Sequence, residues 1–190
     1  MPHIYSFTCE TGFTLFYGNG VGIFMKDKFL CVLAQYDSQT EHKLKELEKI
    51  LVDYGFTGKQ TPGLPGHITL GTYHVSQEDI LTEKVKEAAG HCKSFDITLD
   101  SIGLFGLAVL FLTPSVNQEL LNLRQFFSSV KETDDRTWTA HTTLLIDNRD
   151  TILKALPVVA DNYKSIQGRI ESVSLYEFWP TRFIAEERLL

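Results

Sequence analysis

The chain is short of cysteine, of positive charge and of long apolar runs, and each shortage closes off a class of function. Cys9, Cys31 and Cys92 are its 3 cysteines. They are widely spaced and form no Cys-x-x-Cys pair, so neither a disulfide framework nor a thiolate zinc centre is signalled. Lysine and arginine number 18 against 24 acidic residues, a net charge of −6. Long duplex nucleic acid and anionic membranes both call for a basic surface, so neither is an expected partner, whereas a short oligonucleotide or a small phosphate ester is compatible. The longest apolar run, Leu104 to Leu112, is too short to cross a bilayer, and Met1 to Phe13 lacks the basic and apolar parts of a signal peptide. A cytoplasmic monomer is expected. Other hydrolase signatures are missing too: there is no His-Glu-x-x-His and no nucleophile elbow, while His3, His42, His74 and His91 are scattered. No metal and no cofactor is expected.

Two short stretches that echo each other organise what is present: His67-Ile68-Thr69-Leu70 and His141-Thr142-Thr143-Leu144. Successive side chains of a strand point to opposite faces, so His67 shares a face with Thr69, and His141 with Thr143, each pair about 6.5 to 7 Å apart. The plain structural alternative is a sheet histidine beside a β-favouring threonine. If the two strands adjoin, however, two imidazoles face each other with a hydroxyl beside each. That suits a phosphodiester, which needs a proton removed at one oxygen and delivered at another.

With 190 residues, 43% of them hydrophobic, the chain can form one domain or two small lobes around a shared core. Apolar segments Phe13 to Tyr17 and Val21 to Met25 flank Gly18-Asn19-Gly20 and predict a hairpin within an N-terminal extension, residues 1–27. Residues 28–190 form the main domain. Phe29 to Gln35 is apolar enough for a strand covered on both faces. Ser38-Gln39-Thr40-Glu41 has capping-box spacing and opens a helix with Leu44, Leu47, Leu51 and Tyr54 on one face, before Gly55. The loop Thr61 to Gly66 delivers the chain into His67. By strand parity His74 falls on the face opposite His67 and is structural.

Ser76-Gln77-Glu78-Asp79 opens a second helix that buries Ile80, Leu81, Val85, Ala88 and Ala89. Phe95 to Ile102 and Ala108 to Leu112 are strands about Gly103-Leu104-Phe105-Gly106, a hairpin expected to hold the Phe105 ring out at its tip. Pro114 and Ser115-Val116-Asn117-Gln118 start a third helix with Leu120, Leu123, Phe127 and Val130 in the core. Asp150 caps a fourth that Pro157 should break. Ile170 to Phe178 is the last strand, followed by a polar tail. The order of strand, helix, His strand, helix, strand thus occurs twice, an internal duplication about a pseudo-twofold axis.

From Phe29 to the C-terminus the sequence resembles the two-histidine (2H) phosphoesterase superfamily, the relatives of 2'-5' RNA ligases and cyclic phosphodiesterases, whose mark is two His-h-Thr-h motifs (h apolar) on facing strands. The first motif fits fully. The second departs at Thr142, whose side chain points away from the histidine face. The resemblance implies an α+β, LigT-like fold: two lobes of antiparallel strands in a concave or barrel-like sheet with helices outside. It implies His67 and His141 as acid and base, Thr69 and Thr143 on the phosphoryl oxygens, and Phe105 stacked on a base, with Trp138 a further family feature at the substrate site. The expected activity is metal-independent cleavage of a 2',3'-cyclic phosphate or a 2'-5' linkage in a small nucleotide or short RNA end. A non-catalytic nucleotide-binding module of the same fold is the alternative.

Overall fold

The computed structural model describes residues 6–8, 14–16, 28–133 and 137–190. Its elements are β1 (Ser6–Thr8), β2 (Thr14–Phe16), β3 (Phe29–Tyr36), α1 (Ser38–Asp53), β4 (His67–His74), α2 (Glu78–His91), β5 (Phe95–Phe105), β6 (Val109–Pro114), α3 (Gln118–Phe126), β7 (Thr142–Ile146), α4 (Arg149–Asn162), β8 (Ile166–Phe178) and β9 (Arg182–Arg188). A 3-10 turn, Val75–Gln77, links β4 to α2. β1 pairs antiparallel with β2. Part of the hairpin expected around Gly18-Asn19-Gly20 is therefore a strand with a different partner, and the Val21 to Met25 arm lies outside the described residues.

The other strands form one antiparallel sheet of seven in the order β4-β3-β8-β5-β6-β7, with β9 also on β8. The path does not close. The duplication is visible in who pairs with whom. β3 and β4 of the first half receive β8 from the second, through Tyr36↔Ile170 to Phe29↔Phe178. β6 and β7 of the second half receive β5 from the first. Each half lends its last strand to the other, and β8, long enough to pair with β5 through Ile166–Ile170 as well, joins the two lobes.

The main core lies between the sheet and the helices, where Leu30, Val32 and Ala34 of β3 meet Leu44, Leu47 and Leu51 of α1 and Leu81, Val85 and Ala88 of α2. Two smaller apolar clusters occupy the other face, one around Cys31, Leu33 and Phe178, the other around Val109, Phe111 and Ile146.

Several boundaries differ from the sequence expectation, each for a local reason. Asp37, not Ser38, caps α1, accepting from the Thr40 amide at 2.9 Å; Tyr54, past the helix end, is 63% exposed instead of buried. Gly55 takes the left-handed φ of 89° expected of a helix stop. Ile80 is exposed, since Leu81 and not Ile80 faces the sheet. Asn148 caps α4 in place of Asp150, accepting from the amides of Asp150 and Thr151 at 3.0 and 3.1 Å.

Pro157 does not break α4, which runs on to Asn162. The carbonyl that a proline at 157 leaves without a donor belongs to Leu153, on the solvent side, while Ile152, Ala155 and Val159 hold the helix to the core. The polar tail is a strand: Arg182 of β9 bonds Glu177 of β8 and Glu78 of α2, so its charges are cross-strand and helix partners, not signs of a solvated coil. Among the described residues no helix is long and apolar enough to cross a membrane.

Candidate active site

β4 and β7 stand at opposite ends of the sheet path, and curvature brings them into contact without a shared ladder. The two histidines are set at their strand entrances by the same device. His67 Nδ1 lies 2.8 Å from the Pro65 carbonyl oxygen, and His141 Nδ1 lies 2.8 Å from that of Thr139. In both cases the acceptor is two residues upstream. A carbonyl can only accept, so each Nδ1 carries the proton and donates it, which makes Nε2 the nitrogen that gains or gives a proton in chemistry.

The register places Thr69 on the face of His67: Gln35 of β3 opposes His67, and Leu33 opposes Thr69. Thr143 opposes Phe111 of β6. His67 and Thr69 therefore share a face, as the sequence spacing required, while His141, just before β7, packs on the Phe111 ring that Thr143 opposes. His74 does not follow simple parity. The register shift at Val32/Leu33 turns the second part of β4 over, so His74 opposes Phe29 and shares the His67 face. Its role is nonetheless structural: its Nδ1 accepts from the Ser76 amide at 3.2 Å and caps the 3-10 turn.

The two histidines differ in surroundings. His67 is 7% exposed, with the polar residues Gln35 and Ser172 in line across β3 and β8. His141 is half-buried and packs on aromatic rings, with centroid distances of 4.7 Å to Phe105 and 5.2 Å to Phe111. Phe105 is thus not held out at a hairpin tip. It is the last residue of β5, half-buried against Phe111 at 4.3 Å, and the turn itself is Gly106-Leu107-Ala108, where Gly106 has a φ of 54°. Gly103 leaves room for this stack, because a Cβ there would overlap the Phe111 ring.

Trp138 spans the lobes. Its Nε1 donates to the Thr69 carbonyl oxygen at 2.8 Å, and the Arg124 guanidinium lies 4.9 Å from its ring centroid. Its N–H is therefore committed within the protein and its ring packs against the main core, so Trp138 braces the lobes instead of offering a face at the substrate site as expected.

A second brace went unread in the sequence. The Tyr36 hydroxyl of β3 and Thr142 Oγ1 of β7 share a buried hydrogen bond of 2.6 Å. Burial drives the Tyr36 phenol far above its ordinary value, a hydrogen bond from Thr142 opposing and Glu41 adding to the shift. This accounts for Thr142: 1% exposed, it faces the core as expected, but the core offers it a hydroxyl. A threonine where the motif wants an apolar residue was the signal that could have found Tyr36.

The loops entering the two motifs are exchanged. Before His67, the Lys59 amide donates to the Ile146 carbonyl of β7 at 2.7 Å; before His141, the Thr133 amide donates to the Thr72 carbonyl of β4 at 2.8 Å. Tyr73 and Glu132 add a bridge beside the latter. Each histidine's approach is thus tied to the other histidine's strand. Among the described residues, no cluster of three His, Cys, Asp or Glu side chains could hold a metal ion.

Similarities to known proteins agree with this architecture. E. coli LigT complexed with 3'-AMP is 16% identical over 85% of this chain and 97% of that one, with a TM-score of 0.57. A crystal structure titled as a phosphoesterase is 15% identical, covering 85% and 98%, with a TM-score of 0.54. TT0787 of Thermus thermophilus is 14% identical, covering 85% and 97%, also at 0.54. Identities this low speak to the fold alone. No curated protein matches the chain by sequence. The family model for the 2'-5' RNA ligase superfamily matches residues 24–178, which takes in both histidine motifs and every strand of the sheet except β9, and the chain accordingly belongs to the 2'-5' RNA ligase superfamily.

Proposed function

We propose that the protein is a metal-independent phosphodiesterase that opens 2',3'-cyclic phosphates or cleaves 2'-5' linkages in small nucleotides or RNA ends. The observation that carries this reading is the matched pair of His-x-Thr motifs, each imidazole held through Nδ1 by the carbonyl two residues before it. A module built only to bind has no need of two imidazoles oriented for proton transfer. One neutral histidine removes a proton from the attacking oxygen while the other, protonated, delivers one to the leaving ribose oxygen. Thr69 and Thr143 donate to the non-bridging oxygens as charge grows there. Phe105 offers a ring against which a base stacks, beside His141. The binding of 3'-AMP by E. coli LigT supports a small nucleotide as substrate. We place the enzyme in the cytoplasm, as a monomer.

The test is a panel of 2',3'-cyclic nucleotides, ADP-ribose cyclic phosphate and 2'-5' oligoadenylates, run on wild type, His67→Ala, His141→Ala and the double variant. A general acid or base contributes roughly 10² to 10⁴ in rate, so each single variant should lose most turnover while nucleotide affinity changes little. The double variant should be little worse than either single, because the two imidazoles serve one proton circuit. The wild-type kcat/KM should be bell-shaped in pH. Nucleotide binding without turnover of any substrate would identify a binding module instead.

A further inference from the structure

The floor beside His67 is polar, enclosed and incompletely bonded. Gln35 opposes His67 on one side and Ser172 on the other, so the three lie in one row on one face of β4, β3 and β8. Ser174 lies in the next row, where Leu33 separates it from Thr69. Gln35 and Ser172 are each 5% exposed and Ser174 is 0% exposed. Ser172 Oγ donates to Glu186 Oε1 at 2.7 Å and stands 3.4 Å from Gln35 Oε1. A hydroxyl has one proton to give, and the shorter contact to a carboxylate takes it. Among the described residues, Gln35 Nε2 and Ser174 Oγ have no hydrogen-bond partner of ordinary geometry. The Tyr176 phenol stands near enough for the Gln35 amide to offset part of the upward shift that burial imposes on it, which adds a third polar group at the edge of the same space. Turning the carboxamide over would let Nε2 donate to Ser172 and would turn Oε1 toward the Tyr176 phenol. In the orientation present, Nε2 is the unsatisfied end among the described residues, beside the more buried of the two histidines.

Enclosed polar atoms without partners are rare, and where they lie together they hold ordered water. Diagonal neighbours such as Gln35 and Ser174 stand about 7 to 8 Å apart at the backbone, a gap that a long side chain and one bridging molecule fill. The groups are too enclosed for a sugar. Water also answers either orientation of the amide, since it both donates and accepts.

We propose that Gln35 and Ser174 hold a water molecule beside His67 and that this water is the nucleophile of the hydrolysis. The inference rests on the phosphodiesterase reading above and fixes the roles within it. The water oxygen forms its bond to phosphorus as His67 Nε2 takes the water proton. The bond from phosphorus to the leaving ribose oxygen breaks as His141 Nε2 gives its proton to that oxygen. Protons balance between the two imidazoles, and nothing is oxidised or reduced. Gln35 and Ser174 thereby favour water over an alcohol as the attacking group, hydrolysis over the joining of ends.

The experiment uses 2',3'-cyclic AMP in buffer containing methanol, which competes with water for phosphorus and yields a methyl diester in place of the monoester. Gln35→Met keeps length and shape without the amide, and Ser174→Ala removes a single oxygen; thermal melting establishes that each variant folds. Misplacing an attacking group costs roughly a hundredfold when it moves by an ångström. Gln35→Met should therefore lose about ten- to a hundredfold in kcat with KM nearly constant, and methyl diester should rise relative to monoester, with Ser174→Ala shifting both in the same direction by less. If both folded variants keep the wild-type kcat and product ratio, the inference is overturned and the two-histidine reading stands. If the wild type turns over neither this substrate nor any in the panel, both fall together. A crystal structure gives a check that does not depend on variants: an ordered water bonded to Gln35 and Ser174 is expected, and a protein side chain filling that position, Tyr176 included, would overturn the inference.

Discussion

Tyr36 and Thr142 provide a quantitative test of how the two lobes are joined. Their hydroxyls meet at 2.6 Å, with Tyr36 8% and Thr142 1% exposed, so neither has water to turn to if its partner is removed. Tyr36→Phe leaves Thr142 Oγ1 buried and unpaired, and Thr142→Val does the same to the Tyr36 hydroxyl, with little change of shape in either case. A buried polar group stripped of its partner costs about 1 to 3 kcal/mol, whereas replacing both partners by apolar groups of the same shape is nearly neutral. In a chain of this size 1 kcal/mol moves Tm by about 2 to 4 °C. Each single variant should therefore melt roughly 2 to 12 °C below wild type. The double variant should recover to within about 2 °C, giving a coupling energy close in size to the sum of the two single effects. Scanning calorimetry on the four proteins reads this directly. Single losses that simply add in the double variant, or singles that melt with wild type, would refute the claim that the bond is buried and closed to water.

Three further outcomes follow from the geometry. Activity should survive EDTA, since two imidazoles and two hydroxyls supply proton transfer and charge stabilisation; loss in chelator that zinc or manganese restores would sink the two-histidine mechanism. Gly103→Ala would drive a Cβ into the Phe111 ring, so it should cost about 1 to 3 kcal/mol by overpacking and lower kcat by displacing the rings beside His141; a variant with unchanged Tm and kcat would show that the stack has slack. Glu177 is held below the ordinary carboxylate range by hydrogen bonds from Arg182 and then Lys28. A depressed carboxylate stabilises the fold above its unfolded value and loses that contribution as pH falls through the folded one, so Tm should decline below about pH 4.5. Glu177→Gln should melt lower at neutral pH with a flatter acid limb, and an unaltered limb would assign the acid sensitivity elsewhere.

What the sequence made legible was what local spacing controls. The two-residue spacing of His67 and Thr69 settled their common face, and Leu44, Leu47 and Leu51 marked a helix by period alone. What escaped needed information from a partner strand. His74 was misplaced because one irregular step in β4 reverses parity, and nothing around Leu70-Gly71 signals it unaided. β9 was missed because its charges look solvated until Glu177 and Glu78 are beside Arg182. Phe105 was read from its flanking glycines as a displayed ring, yet Gly103 serves to admit Phe111 beneath it. Gln35 passed as one polar residue in an apolar strand, since its relation to His67 exists only in the register.

The exchange of last strands has a consequence for how such a molecule holds together. β5 and β8 each pair with strands of the opposite half, which is the connectivity of two short chains that have traded an arm. Here the two are joined through the tight turn Gly106-Leu107-Ala108, and that tether turns an encounter between separate molecules into an intramolecular one, at an effective concentration on the order of millimolar or above. The covalent link also frees the halves from being identical. A true symmetric pair would surround both histidines alike, but the fused chain can give His67 a polar row and His141 two aromatic rings.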